Sequence, residues 1–273
     1  MRLGIFAKTF EGRTPDAVLA AVSAAGFTEA QYNMACSGLE SMPAAITPDE
    51  ARAVAEAGAT HGLRIAAVSG TFNMIHPDVA VRDEGQRRLA VIGERCAAMS
   101  TGIVTLCTGT RDPHDQWRAH PDNDSSEAWR DLLGAVERAV AMAERFDIEL
   151  GIEPELGNVV SSAERARRLI DEIQSPRIRI ILDPANLFEV TNLSEQRRIV
   201  SDAIELLAGR IAMAHAKDRN ADGSFATAGK GVLDYAHYVS ELKAIGFDGV
   251  LVAHGLSAAE AAGVHGFLKQ QVA

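Results

Sequence analysis

Cysteine is scarce in this chain. Cys36, Cys96 and Cys107 are the only three in 273 residues, and no CxxC or CxxH pair occurs. That spacing argues against a structural zinc knuckle and fits reduced thiols in a cytoplasmic protein. Long apolar runs are missing as well. Nothing approaches the ~18 residues needed to cross a bilayer. The N-terminal MRLGIFAKTFEGR has too short an apolar stretch for a secretory signal before Glu11 intervenes. Basic charge is in deficit, with 27 Lys and Arg against 37 Asp and Glu, for a net charge of -10. Proteins that grip phosphate backbones present basic surfaces, so neither nucleic acid nor a membrane is an expected partner. The chain is 47% hydrophobic, enough to enclose a sizeable core, and it has no low-complexity tract or linker.

What is present is an alternation. Short apolar runs fall at 2–6, 27–33, 63–69, 102–108, 148–155, 177–186, 210–218 and 249–255, the second being weak. Between and after them come stretches of helical spacing at 15–26, 47–62, 79–100, 125–147, 161–173, 193–209, 232–246 and 257–271. Several open on a cap, as in Thr-Pro-Asp-Glu at 47–50, and several close on Gly. Continuously apolar strands that alternate with helices imply a parallel sheet covered on both faces. Eight such units predict an α/β chain folded as a single (β/α)8 TIM barrel domain over residues 1–273. An open doubly wound sheet is the alternative. It ordinarily carries G-x-G-x-x-G after its first strand, and AKTFEGRT has none.

Barrel enzymes place catalytic groups at the C-terminal ends of the strands. Four apolar runs in succession end there on a metal-binding residue type: Glu153 in GIEPE, Asp183 in ILDPAN, His215 in MAHAKD and His254 in LVAHG. Singly, each reads as a helix cap or a hydrogen-bonded core residue. Together they predict convergence on one rim, where two carboxylates and two imidazoles suit manganese, magnesium, cobalt or zinc. An ion with open positions polarises a carbonyl. Side-chain alternation puts Glu155 on the face of Glu153, and Lys217 on that of His215. His61, His114, His237 and His265 fall on helices or exposed turns and read as structural.

Two long loops join the same rim, 69–78 and 108–129, and they hold His76, Arg111, Trp117, His120 and Trp129. Trp and Arg there suit a sugar face and its hydroxyls or phosphate. Trp129 reads instead as a helix-start staple. The Gly- and Asp-rich stretch 217–231 reads as a lid, with Lys217 and Lys230 as candidates for an anionic group.

GIEPE, ILDPAN, and HAKD followed by A-G-K-G-x-L-D-Y resemble the xylose isomerase-like TIM barrels, along nearly the whole chain and in order. That superfamily holds sugar and sugar-phosphate isomerases and epimerases, hydroxypyruvate isomerase, inosose dehydratase and endonuclease IV. The resemblance implies one divalent metal, manganese first, with Glu153, Asp183 and His215 as ligands. His254 stands where the family usually has a ligand Glu. It implies Asn186 at the substrate-contacting D-x-x-H/N position and His76 as the strand-three histidine near the substrate. Glu153, His254 and His76 are then the expected catalytic residues. Asn186, Glu155, Lys217, Arg111, Trp117 and His120 are the expected substrate contacts. The implied activity is metal-dependent isomerisation or epimerisation of a sugar or sugar phosphate, by proton abstraction next to a carbonyl. The His254 departure puts a two-glutamate epimerisation in question and keeps a carbohydrate or cyclitol lyase or dehydratase as the alternative. An endonuclease IV-like nuclease and a non-catalytic sugar-binding barrel rank lower. Barrels of this kind often pair, which leaves room for a homo-oligomer.

Overall fold

The computed structural model describes residues 1–273. Its strands are β1 (Arg2–Phe6), β2 (Glu29–Tyr32), β3 (Arg64–Ser69), β4 (Ile103–Cys107), β5 (Glu149–Glu153), β6 (Ile178–Leu182), β7 (Ile211–Ala216), β8 (Asp218–Arg219), β9 (Phe225–Ala226) and β10 (Val250–Ala253). All but β8 and β9 are parallel and form one closed barrel, sealed where β10 pairs with both β7 and β1. The pair β8 and β9 is a small antiparallel hairpin after β7. The helices are α1 (Pro15–Ala24), α2 (Pro48–Thr60), α3 (Val79–Arg95), α4 (Ser126–Phe146), α5 (Ala163–Ile173), α6 (Leu193–Leu207), α7 (Tyr235–Ala244) and α8 (Ala261–Val272). This is the (β/α)8 barrel expected from the alternation.

Local chemistry sets the helix starts. Thr14, Thr47, Asp78, Ser125, Ser162, Asn192 and Asp234 each accept a hydrogen bond from a backbone N–H of the helix they precede. Each satisfies a donor that the first turn leaves free. Thr47 and Glu50 complete a reciprocal capping box.

Two apolar regions hold the barrel. A cluster of 66 buried residues fills the layer between strands and helices, and a separate cluster of five, Ala67, Ile181, Met213, Val250 and Val252, plugs the barrel interior. The plug is small, and its position explains the site. Side chains on a strand alternate, so the next inward residue beyond Ile181 is Asp183, beyond Met213 is His215, and beyond Val252 is His254. On β5 the corresponding step runs from Gly151 to Glu153. Gly151 leaves room for a neighbour, since a Cβ there would lie 2.5 Å from Ile181 Cδ1. Gly151→Ala is therefore expected to destabilise the fold by about 1–3 kcal/mol through overpacking. A urea midpoint equal to that of the parent would mean Ile181 has free space to move into.

Every barrel strand but β1 is shorter than its apolar run, and β6 stops at Leu182, before Asp183 and Pro184. β5 ends at Glu153 because Pro154 has no N–H to continue the ladder. Glu155 instead donates its N–H to Val160 O in the following loop, so it is not part of the strand face. β7 ends at Ala216, and Asp218 begins the hairpin. All three cysteines are buried and unpaired. No helix is long and apolar enough to cross a membrane.

Candidate active site

The C-terminal ends of β5, β6 and β7 bring Glu153, Asp183 and His215 together, with one ligand atom from each lying within 4.8 Å of the others. His215 is fully buried. Its Nδ1 lies 3.1 Å from Glu153 Oε1, and its Nε2 lies 2.9 Å from Oε1 of Gln31 on β2. Gln31 in turn donates to Thr105 Oγ1 on β4 at 3.3 Å. Asn186 donates to Glu153 Oε1 at 3.0 Å and accepts from Lys217 Nζ at 3.1 Å. Asp183 Oδ1 accepts from Ala185 N at 2.9 Å, so this carboxylate is both a cap and a member of the cluster. Its Oδ2 is buried 3.2 Å from Lys217 Nζ, yet accepts no directed hydrogen bond.

Burial opposes the charge on each of these groups, and the neighbours overcome it. At Glu153 the His215 imidazole prevails, and the carboxyl is held below its usual range. At Asp183 burial is outweighed by Lys217 and His215, and the carboxyl sits well below the carboxylate range. His215, buried between the two carboxylates, is pushed up to about 9. Glu155 goes the other way, raised to about 8 by burial and by the charge of Glu153. Adjacent carboxyl groups with opposed shifts are the arrangement from which acid and base roles are made.

His254 lies just past β10, outside the group of three. Its ring stacks between Phe6, at 5.0 Å between centroids, and His215, at 5.1 Å. Burial and the charge of His215 hold it neutral, lowered to about 4. Its Nδ1 is buried without a partner. The stacking holds this ring parallel to His215, which does not bring its nitrogens into the set that can share one ion. Next to the cluster opens a cavity of about 470 Å³, walled by Glu155, Lys217, His254, Trp117, Phe225 and Arg219 among others.

Of the residues expected at the site, Glu155, Lys217 and Trp117 line this cavity, and Asn186 sits in the hydrogen-bond chain beneath it. Three others are committed elsewhere. His76 uses both ring nitrogens to tie loops together, with Nδ1 accepting from Asp78 N at 3.0 Å and Nε2 3.1 Å from Pro113 O. Neither nitrogen is free for acid–base work. Arg111 donates to Ile75 O at 3.0 Å and to Asp131 at 2.6 Å, clamping the loop onto α4 rather than reaching the cavity. His120 caps the short turn Pro121–Asp124 by accepting from Asp122 N at 3.2 Å. Lys230 pairs with Glu260, away from the cavity wall. Trp129 is buried, donates to Glu172 and lies beneath Arg168, as a structural staple should.

Sequence reading missed Gln31, Arg219 and Phe225. Gln31 is the penultimate residue of β2, as His215 is of β7, and the rim rule applied to β2 would have found it. Arg219 and Phe225 sit on the β8–β9 hairpin, for which the sequence carried no periodic signal.

The sequence matches a family model described as xylose isomerase-like TIM barrel over residues 19–266. A search of curated proteins gives no match. Among solved structures, a D-tagatose 3-epimerase-like protein superposes with a TM-score of 0.79 at 18% identity, covering 100% of this chain and 97% of that one. An L-ribulose 3-epimerase gives 0.77 at 18% identity, covering 99% of this chain and 94% of that one. A 3-keto-D-glucoside 4-epimerase from E. coli gives 0.76 at 16% identity, covering 99% of each chain. Likeness at such identities establishes a common architecture.

Proposed function

The chain belongs to the xylose isomerase-like TIM barrel family, and on that premise we propose that it is a carbohydrate isomerase or epimerase that moves a proton on the carbon next to a carbonyl. The observation that carries this reading is the convergence of Glu153, Asp183 and His215 within 4.8 Å, beside a cavity large enough for a small-molecule ligand. Two carboxylate oxygens and an imidazole nitrogen fit one divalent ion, manganese first, and Asp183 Oδ2 stands buried with no hydrogen-bond donor of its own. When bound, that ion supplies Lewis-acid polarisation of the substrate carbonyl and the hydroxyl beside it.

The rest of the chemistry falls to the chain. Asn186 and His215 hold Glu153 through Oε1, and Oε2 makes no hydrogen bond. Oε2 is the atom placed to take the proton. Lys217 orients Asn186 and balances the charge of Asp183. Glu155 stands on the cavity wall with its carboxyl raised to about 8, where it can deliver a proton back to the substrate, and the neutral His254 ring beside it can only accept one. The test is deuterium exchange. The manganese-supplied protein is incubated in D2O with a panel of ketoses and ketose phosphates. Deuterium next to the carbonyl of one member supports the reading, and a metal-loaded protein that exchanges none of them overturns it.

Two further outcomes follow. Elemental analysis of protein purified without chelator is expected to give about one divalent ion per chain. No ion, and none taken up from manganese, cobalt or zinc, would remove the metal from the mechanism. Gln31→Leu takes away the acceptor facing His215 Nε2 and is expected to weaken metal binding about 10- to 100-fold. Calorimetric titration with manganese reads this directly, and an unchanged Kd would leave Gln31 a packing residue.

The lyase reading keeps the same proton abstraction and adds a leaving hydroxyl. Glu155, raised to about 8 on the cavity wall, favours it as an acid able to protonate that hydroxyl as it leaves. Loss of water from a sugar acid or cyclitol, followed by mass, separates the two reactions.

A further inference from the structure

A phosphate ester needs donors, and (β/α)8 barrels usually supply them from the loops after the last two barrel strands and from the start of a short extra helix there. In this chain the corresponding backbone groups already have internal acceptors. After β7, the N–H groups of Arg219, Gly229, Gly231 and Leu233 all donate to the carboxylate of Asp218. After β10 comes the short 3-10 helix Ala258–Glu260. Glu260 folds back on its start, accepting from Ser257 N at 3.0 Å and from Ser257 Oγ at 2.7 Å. Two groups of donors suited to an external anion are thus filled by carboxylates of the chain itself.

The cationic side chains are engaged in the same way. Lys230 and Thr227 both donate to Glu260 Oε1. Two cations line the cavity, Lys217 and Arg219. Lys217 Nζ lies 3.2 Å from Asp183 Oδ2 and donates to Asn186 Oδ1. Arg219 donates to Ala185 O and to Gly223 O. Phe225 then covers both, with its ring centroid 3.8 Å from Lys217 Nζ and 4.3 Å from Arg219 Cζ. Lys217 is left 6% exposed and Arg219 5%. The same wall offers a neutral sugar what it needs. Glu155 and Glu189 present oxygens to hydroxyl groups, and Trp117 presents an aromatic side chain to a sugar face.

A phosphate ester carries a charge of about -1.5 to -2 at pH 7. Moving that charge from water onto a wall whose donors are already taken is unfavourable. We propose that the site takes a neutral, unphosphorylated ketose, and that Phe225 excludes the phosphate ester by covering the two cations it would need. This deepens the reading above and rests on it for the carbonyl end of the sugar.

The test compares ketoses with their own terminal phosphate esters, D-fructose with D-fructose 6-phosphate and D-ribulose with D-ribulose 5-phosphate, on the manganese-supplied protein. Deuterium exchange gives the ratio of kcat/KM within a pair, and calorimetric titration gives the ratio of Kd. The free sugar is expected to lead its ester by at least about tenfold in both. Phe225 is half-exposed, so Phe225→Ala leaves the buried core intact. In that variant the ratio of Kd is expected to fall towards one, and ester binding is expected to weaken as salt is added, because the uncovered cations then carry it. An ester that binds as tightly as its free sugar, a ratio unmoved by Phe225→Ala, or no binding of any of the four compounds would overturn the proposal. Tighter binding of free ketoses without proton exchange on any sugar keeps the neutral-sugar site and removes the isomerase. Exchange on an ester and not on its free sugar does the reverse.

Discussion

Glu153→Gln lowers turnover by roughly 10²- to 10⁴-fold, the usual worth of a general base, while a divalent ion still binds. The substitution keeps the volume of the side chain and leaves an amide oxygen where Oε1 accepts from Asn186. What changes is the second atom. Oε2, free of hydrogen bonds, becomes an NH2 group that donates and cannot take a proton. Asp183 and His215 are untouched, so metal affinity falls far less than the rate. Exchange rates and manganese titrations on the same preparation separate the two effects. A variant that exchanges substrate protons at the parental rate would remove Glu153 as the base. One that loses metal and activity in parallel would make it a ligand only.

The second large effect concerns stability. Asp218 is fully buried, and its carboxylate accepts from four backbone N–H groups. Oδ1 serves Arg219 at 2.8 Å and Leu233 at 2.9 Å, while Oδ2 serves Gly229 at 3.1 Å and Gly231 at 3.0 Å. One side chain therefore folds the whole return from the hairpin to α7. Gly231 is part of the same knot, since a Cβ there would lie 2.1 Å from Arg219 O. Asp218→Ala leaves four donors without their acceptor and is expected to destabilise by about 3–5 kcal/mol. Asn in its place keeps the shape but turns two donors onto an NH2 group, so it recovers only part of the loss. Urea unfolding measures the total, and hydrogen exchange at residues 229, 231 and 233 locates it. Native protection at those amides in the Ala variant would show that the return to α7 holds without the carboxylate.

Several of these features were readable in the amino-acid order, and the reasons differ by residue. Strand burial and helix caps are local, so Thr47 with Glu50, or the run GIVTLC, announces its element without the rest of the chain. The grouping of Glu153, Asp183 and His215 needed only one more rule, that parallel strands of a barrel deliver their last residues to one rim. Gln31 escaped because EAQY has no apolar alternation, and a polar side chain turned into the barrel looks like a loop residue from outside. His76, Arg111 and His120 have chemistry that suits a sugar, yet their partners are backbone atoms or acids in neighbouring segments. Which partner a loop side chain finds depends on how the 69–78 and 108–125 segments cross, and no periodicity encodes that. The end of β5 was set by Pro154, whose effect on the ladder outweighs the apolar and acidic pattern on either side.

The layout above the apolar plug divides responsibility between backbone types. Glu153, Asp183, His215 and His254 lie within one residue of the C-terminal ends of hydrogen-bonded strands. Trp117 and Phe225 ride on segments that contribute nothing to barrel closure. The reaction centre and the walls around it are therefore separable parts. Residues 108–125 and 220–228, which exclude Lys217 and the Asp218 knot, are the segments expected to accept grafts from a related barrel. Such a graft redirects which molecule is accepted while the proton chemistry beneath stays as it was.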